Sequence, residues 1–250
     1  MLKVTEDCIN WIKEQFKDIP DGKAIIGISG GKDSTIAAAL CVEALGADRV
    51  IGVLMPQGKQ NDINDSYEVV ATLKLQYHVV NIGATCEALY HSISDAVFLS
   101  NGKNAVETNS MITTNAPARI RMTTLYAVAA LYPNSRVVNT CNRSEDFVGY
   151  STKYGDAAGD FSPLGNLTVR EVLGIGDDLR LPSHLVHKAP SDGMCGKTDE
   201  DNLGFTYEEL DGFLLGESGL TPETMSKVTR LHKATRHKYV PMPIFNKGEI

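Results

Sequence analysis

The chain has 250 residues, 42% of them hydrophobic, which suffices for one large α/β domain with a proper core, and no apolar run approaches the roughly 20 residues of a membrane span. Its net charge of −7 argues against a general nucleic-acid surface, and the N-terminus lacks the charged and apolar regions of a signal peptide. Five cysteines scattered singly, without a C-x-x-C pair, suggest neither a disulfide framework nor a zinc site, so the expectation is a single cytoplasmic domain with reduced thiols.

Residues 2–17 place Val4, Cys8, Trp11, Ile12 and Phe16 at helical spacing, predicting an amphipathic first helix. After the turn at Pro20-Asp21-Gly22 come a strand at 24–28, a helix at 34–45 capped by Gly46, and a strand at 50–54. A helix at 65–75, a strand at 79–82 and a helix from 85 to about 93 complete a β-α-β-α-β-α run. Such a run implies a doubly wound, mostly parallel sheet with helices on both faces. Residues 94–114 read as a long polar loop, 115–130 as a strong helix and 136–140 as a fourth strand. The apolar pattern then thins over 142–166, and helices are expected at 168–179, 207–215 and 222–235.

The most informative stretch joins the first strand to its helix: Gly27-Ile28-Ser29-Gly30-Gly31-Lys32-Asp33-Ser34. Glycines allow a tight turn and close approach, and a helix N-terminus presents unpaired N–H groups to an anion, most simply a phosphate. It is not a Walker A loop, because Ile26 and Asp33 stand where that motif needs Gly and Ser or Thr. Nor is it a dinucleotide fingerprint, because Ser29 stands two residues after Gly27.

The Ser-Gly-Gly-Lys-Asp-Ser run after a buried strand resembles the pyrophosphate loop of the N-type ATP pyrophosphatases, which cleave ATP between its α and β phosphates while adenylating a carboxylate or carbonyl. An Asp beside phosphates is unfavourable unless a cation lies between them, so Asp33 argues for a bound metal. Glu145 follows the fourth strand, and ligands of open α/β sheets bind outside the carboxyl ends of strands. With Asp33 it would complete an oxygen-rich Mg²⁺ site together with phosphate oxygens and waters. Read alone, Glu145 is a solvated residue in a first helical turn, and Arg119 and Arg121 are surface charges.

The combination narrows the resemblance. Ala-Arg-Ile-Arg-Met (118–122), Asn-Thr-Cys-Asn-Arg-Ser-Glu (139–145), Thr-Lys-Tyr-Gly-Asp (152–156), Lys-Ala-Pro-Ser (188–191), Asp199-Glu200 and His237-Lys238 follow the loop in the order and spacing of the NAD synthetases. That resemblance implies an adenine nucleotide alpha hydrolase-like, Rossmann-like fold and a ligase that amidates deamido-NAD with ammonia, using ATP and Mg²⁺. It implies that Gly27 and the 29–34 loop, from Ser29, Gly30 and Gly31 through Lys32 and Asp33 to Ser34, hold ATP phosphates. Gln60, Thr140 and Ser191 would contribute to the same nucleotide site.

Asp33 and Glu145 would ligate the metal; Arg119, Tyr126, Lys153, Asp156, Asp160, His237 and Lys238 would hold deamido-NAD. Asp33, Lys153 and Asp156 would serve catalysis, and the acceptor site would lie across a homodimer interface. No residues remain over 1–250 for a glutaminase domain. Two positions depart from the pattern: Leu54 stands where many relatives carry Arg, and Val169 where many carry Lys. Lys32, Arg143, Lys188 and the basic run 230–238 are the candidates to supply that charge. Another adenylating amidotransferase, such as a GMP synthetase core, and a non-catalytic nucleotide-binding module remain the alternatives.

Overall fold

The computed structural model describes residues 1–60, 62–97, 109–188, 198–217 and 219–245. Four parallel strands, β1 (Ala24–Gly27), β2 (Val50–Leu54), β3 (Gln76–Val79) and β4 (Arg136–Val137), form a sheet in the order β3-β2-β1-β4. Strand residues alternate between two cores, as a period of two requires. Ala24, Ile26 and Ile28 with Val50 and Leu54 enter one core, which is completed by α1 (Lys3–Gln15), α2 (Lys32–Leu45), α3 (Ile63–Thr72), α7 (Val169–Asp178) and α8 (Ser183–Val186). Ile25, Ile51 and Val53 enter the other, beneath α4 (Gly83–Ala96) and α5 (Ser110–Ala129). The expected doubly wound architecture is thus present.

Helix α2 is apolar on nearly every side: Ile36, Ala37, Ala38, Leu40 and Cys41 are all fully buried, because α2 is enclosed by the sheet and by α1, α7 and α8. A third apolar cluster, including Val148, Val169, Leu203, Phe205 and Leu210, joins α6 (Arg143–Val148) and α7 to α9 (Asp199–Leu203), α10 (Tyr207–Leu214) and α11 (Pro222–Thr235). Among the described residues, no helix is long and apolar enough to cross a membrane. Among the described residues, Cys8, Cys41, Cys86 and Cys141 are free thiols.

Several boundaries differ from the sequence reading. Strand β3 lies three residues earlier than 79–82, because Leu75 is the anchor that enters the core and the chain then runs along an exposed sheet edge. Pairing persists beyond it, with Val80 N–H donating to the Leu54 carbonyl and Ile82 N–H to that of Pro56. In α1 the buried stripe is Thr5, Ile9 and Ile12, continued by Phe16 at its C-cap, so Trp11 lies outside it and meets Phe161 in a tilted ring contact. Helices α4 and α5 both extend into the stretch read as a loop, the latter starting at an Asn109 side chain that accepts from Met111 N–H; residues 98–108 lie outside the described residues.

Strand β4 is shorter than 136–140, and its continuation bridges instead to Phe161 through Val138. Short helices α8 and α9 were not expected, since four or five residues are too few to show a period, whereas α6 begins with the helical turn in which Glu145 was read. Because β2 and β3 extend to one side of β1 while β4 lies on the other, the chain reverses direction between β1 and β4. The segments leaving these two strands therefore border one crevice, where ligands of open α/β sheets bind.

Candidate active site

The loop after β1 is braced by its own hydroxyls. Gly31 N–H donates to Ser29 Oγ at 3.2 Å, the Ser29 and Ser34 hydroxyls lie 3.0 Å apart, and Ser34 Oγ–H donates to the Gly31 carbonyl at 3.1 Å. Gly30 has φ +80°, and a Cβ there would meet Asp65 Cβ at 2.8 Å, so both conformation and space demand glycine. Gly31 is the N-cap of α2 and has no side chain to satisfy the first-turn N–H groups, which leaves them for an anion. Gly27, by contrast, faces Met55 and Leu125 in the second core.

Beyond β4, Asn142 is completely buried and caps α6. Its Oδ1 accepts from the N–H groups of Ser144 and Glu145, both at 3.0 Å, and Glu145 Oε2 accepts from Asn142 N–H in return. That reciprocal cap fixes Glu145 in the first turn. Asn142 Nδ2 donates to Asp33 Oδ1 at 3.0 Å, joining the end of β4 to the start of α2. The Asn-x-x-Glu spacing at 142–145 was the legible signal for this cap. The role of Asn142 as the joint to Asp33 was missed.

Between the two carboxylates sits Lys32, with Nζ 2.7 Å from Asp33 Oδ2 and 3.8 Å from Glu145 Oε1. Burial works to lower the Lys32 pKa, yet Asp33 and Glu145 outweigh it and raise it overall. Burial, reinforced by the charge of Asp33, raises the Glu145 pKa well above the usual carboxylate range despite the opposing pull of Lys32. The donors are carboxylate oxygens, and the ammonium already placed between them is a stand-in cation. The pair therefore fits a hard divalent ion. No group of three His, Cys, Asp or Glu capable of holding a metal occurs among the described residues, so other oxygens would have to complete the coordination.

A second constellation adjoins the first through the same strand end. Asn139 Nδ2 donates to the carbonyls of Asp156 and Ala158 at 2.7 and 3.0 Å, and the Cys141 thiol donates to the Asp156 carbonyl. The 152–156 loop is closed by Thr152 N–H donating to Asp156 Oδ1 at 3.0 Å. Surrounding protein raises the Asp156 pKa even though the residue keeps an open side, while the Thr152 hydrogen bonds and Lys238 pull the other way. Arg119 Nε donates to the Lys153 carbonyl from α5, and Lys153 Nζ donates to the His237 carbonyl at 2.6 Å. Lys238 Nζ donates to the carbonyls of Gly149 and Ser151, and burial lowers its pKa. Thus Arg119, Lys153, Asp156, His237 and Lys238 come together.

Tyr126 and Asp160 are occupied with each other. The Tyr126 hydroxyl donates to Asp160 Oδ1 at 3.0 Å, its pKa pushed up to about 12 by burial and by that carboxylate. The other Asp160 oxygen accepts from Val137 N–H at 2.7 Å, tying the carboxylate to β4. Gln60 Nε2 donates to Asp62 at 2.8 Å, Thr140 is half-buried just beyond β4, and Ser191 lies outside the described residues. Leu54 is fully buried and Val169 sits in the third apolar cluster, so neither position leaves room for a cation. Lys188 is engaged by Asp62 and Asp65, and Arg143 by the Leu214 carbonyl. A shallow hollow of about 870 Å³ is lined only by residues 222–234 of α11 and includes none of the loop residues.

The profile of the NAD synthase family matches residues 4–242. The chain belongs to the NAD synthase family. The NH(3)-dependent NAD(+) synthetase of Carboxydothermus hydrogenoformans is 36% identical over 94% of this chain and 93% of its own length. Among solved structures, NMN synthetase from Francisella tularensis superposes with a TM-score of 0.87 at 32% identity, covering 98% of both chains. The NH3-dependent NAD synthetase of Campylobacter jejuni gives 0.74 at 30% identity, also covering 98% of both.

Proposed function

We propose that the protein is an ammonia-dependent NAD synthetase, a ligase forming a C–N bond, which uses ATP to adenylate the nicotinate carboxylate of deamido-NAD and ammonia to displace AMP. The observation that carries this reading is the Asn142–Asp33 hydrogen bond. It brings the carboxylates of two separate strand ends, Asp33 and Glu145, to one point beside a phosphate-type loop.

In the first step a carboxylate oxygen of the acceptor bonds to the α-phosphorus of ATP and the bond to the bridging oxygen breaks, releasing pyrophosphate. Charge gathers on the departing group, and the N–H groups at the start of α2 are oriented to receive it. Asp33 and Glu145 would hold Mg²⁺, which when bound supplies charge compensation for the pyrophosphate. In the second step ammonia bonds to the acyl carbon, the carbon–oxygen bond to AMP breaks, and the surplus ammonia proton must leave. Asp156, whose pKa is raised by its surroundings, is a suitable acceptor. Lys153 and Arg119 would fix the acceptor's anionic groups. Positioning and charge compensation suffice, so no Ser or Cys nucleophile is needed.

We assign the site to a homodimer, with the exposed face of α5 that carries Arg119 and Tyr126 at the interface, one domain over residues 1–250, and action in the cytoplasm. A second reading concerns the acceptor. The higher superposition with the Francisella tularensis NMN synthetase favours a mononucleotide, nicotinate mononucleotide, in place of deamido-NAD. The test is amide formation with ammonium and ATP, comparing kcat/KM for the two acceptors. At least tenfold preference for deamido-NAD supports the main reading; the reverse preference transfers the assignment to the mononucleotide. Cleavage of ATP with neither acceptor contradicts both.

A further inference from the structure

The carboxylates read as metal ligands are already bridged by a cation that belongs to the chain. Lys32 is the first residue of α2 and only 6% exposed, and its ammonium contacts Asp33 Oδ2 at 2.7 Å while facing Glu145 Oε1 at 3.8 Å. The Tyr207 ring lies on its other side, 6.0 Å from Nζ. Other cations considered for this charge are engaged elsewhere: Lys188 pairs with Asp62 and Asp65, Arg143 donates to the Leu214 carbonyl, and Lys238 of the basic run donates to the Gly149 and Ser151 carbonyls. Lys32 is thus, among these candidates, the one that meets both carboxylates.

We infer that Lys32 is a positioning residue that acts as an internal counter-ion, holding Asp33 and Glu145 together before the metal arrives and making metal binding conditional on a phosphate ligand. The inference rests on reading Asp33 and Glu145 as ligands of a divalent cation. Such an ion sits about 2.0–2.1 Å from each oxygen if it is Mg²⁺. The Lys32 ammonium is only 2.7 Å from the same Asp33 oxygen, so the two cations compete for it. Both charges crowded there would repel each other where little water screens them.

Asp199, whose charge already acts on Lys32, stays beside a displaced ammonium, but losing its contact with Asp33 is strongly unfavourable for a buried charge, so the ammonium needs a further anion. Lys32 follows Gly31, whose neighbouring N–H groups form the anion end of α2, so a phosphate bound there lies within reach of the swung side chain. Phosphate therefore releases the carboxylates to the metal, and metal and phosphate bind with positive coupling. In this way the site avoids taking up a metal without its nucleotide.

The test is Mn²⁺ binding, followed by electron paramagnetic resonance of the free ion, with and without inorganic pyrophosphate, each measured against a protein-free solution of the same composition so that chelation by pyrophosphate alone is subtracted. It compares the wild type with Lys32→Met, Lys32→Gln, Lys32→Arg and Asp33→Asn. Wild type is expected to bind Mn²⁺ weakly alone and about tenfold or more tightly with pyrophosphate, within the usual range of coupling. Lys32→Met and Lys32→Gln should each bind Mn²⁺ alone about fivefold or more tightly than wild type and show at least a fivefold smaller gain from pyrophosphate. Their metal-free thermal midpoints should fall and recover on adding Mn²⁺, whereas Lys32→Arg, which keeps the charge, should follow wild type.

Unchanged or weaker Mn²⁺ binding in folded Lys32→Met or Lys32→Gln overturns the inference. So does a pyrophosphate gain equal to that of wild type. Asp33→Asn separates the underlying reading: if it binds Mn²⁺ as wild type does, the metal-ligand assignment itself fails, whatever the lysine variants show.

Discussion

Asn142 offers a quantitative test of how the site is assembled, because one buried amide performs two separable tasks. Its Oδ1 caps α6 by accepting from Ser144 and Glu145, and its Nδ2 donates to Asp33. Replacing a cap by Ala removes about 1 kcal/mol. A hydrogen bond to a charged group contributes about 1.5–3 kcal/mol, to be taken at its lower end because Asp33 keeps some exposure. Asn142→Ala should therefore destabilise by about 2.5 kcal/mol, and a chain of this length loses roughly 2–4 °C in Tm per kcal/mol.

Asn142→Ser retains a capping oxygen but cannot donate to Asp33 as the longer amide does, so it should recover about 1 kcal/mol of that loss. Both variants should weaken Mn²⁺ binding, because Asp33 is no longer held toward Glu145. Thermal unfolding followed by circular dichroism measures the first effect, and Mn²⁺ titration the second. A loss below about 0.5 kcal/mol for Asn142→Ala, the scale of an ordinary surface change, would refute the claim that this amide joins the two strand ends.

Asp33→Asn and Glu145→Gln should each abolish turnover while leaving the far-ultraviolet spectrum unchanged; normal kcat in either refutes the metal-ligand role. Gly30→Ala should unfold at lower temperature and lose ATP binding by isothermal titration, because φ +80° and the Asp65 contact both resist a Cβ. Lys153→Met should raise KM for the acceptor with little effect on KM for ATP; an equal rise in both would remove Lys153 from the acceptor side. Burial pushes the Asp146 pKa up from 3.8 to about 7, so the folded chain holds a proton that the unfolded chain gives up. The unfolding free energy should therefore fall as pH rises from 3.8 to about 7, and Asp146→Asn should flatten that slope in urea titrations; parallel slopes would contradict it.

The parts of this structure that were legible in the sequence are those governed by local rules. The β1 loop is legible because Gly30 and the serines are dictated by backbone geometry within six residues, and the two cores follow from the alternation of Ile25 and Ile26 about the sheet plane. Glu145 was placed correctly at the strand edge by topology alone, since any residue just after β4 borders the crevice beside β1. What the sequence did not disclose depends on pairs far apart in the chain. Nothing near Asn142 announces its bond to Asp33, 109 residues away.

Likewise Asp160 read as a substrate contact, whereas its two oxygens accept from Val137 N–H and the Tyr126 hydroxyl, a use that only the packed arrangement reveals. The shift of β3 has a similar origin. The apolar residues at 79–82 look like a strand, but an edge strand needs only Leu75 and its backbone partners on β2 to be held. The apolar side chains of Leu54 and Val169 were visible, but the lysine placed between the two acidic side chains required the side-chain geometry.

The proposed activity turns on ATP activating a nicotinate carboxylate by transfer of its adenylyl group. The most direct measurement follows isotopes through one turnover mixture containing ATP, ¹⁵N-ammonium and the acceptor with ¹⁸O in its carboxylate. Attack of that carboxylate on the α-phosphorus and later displacement by ammonia places one ¹⁸O in AMP, none in pyrophosphate, and ¹⁵N in the amide. Recovery of ¹⁸O in pyrophosphate or orthophosphate, or amide formation with unlabelled AMP, would rule out adenylyl transfer.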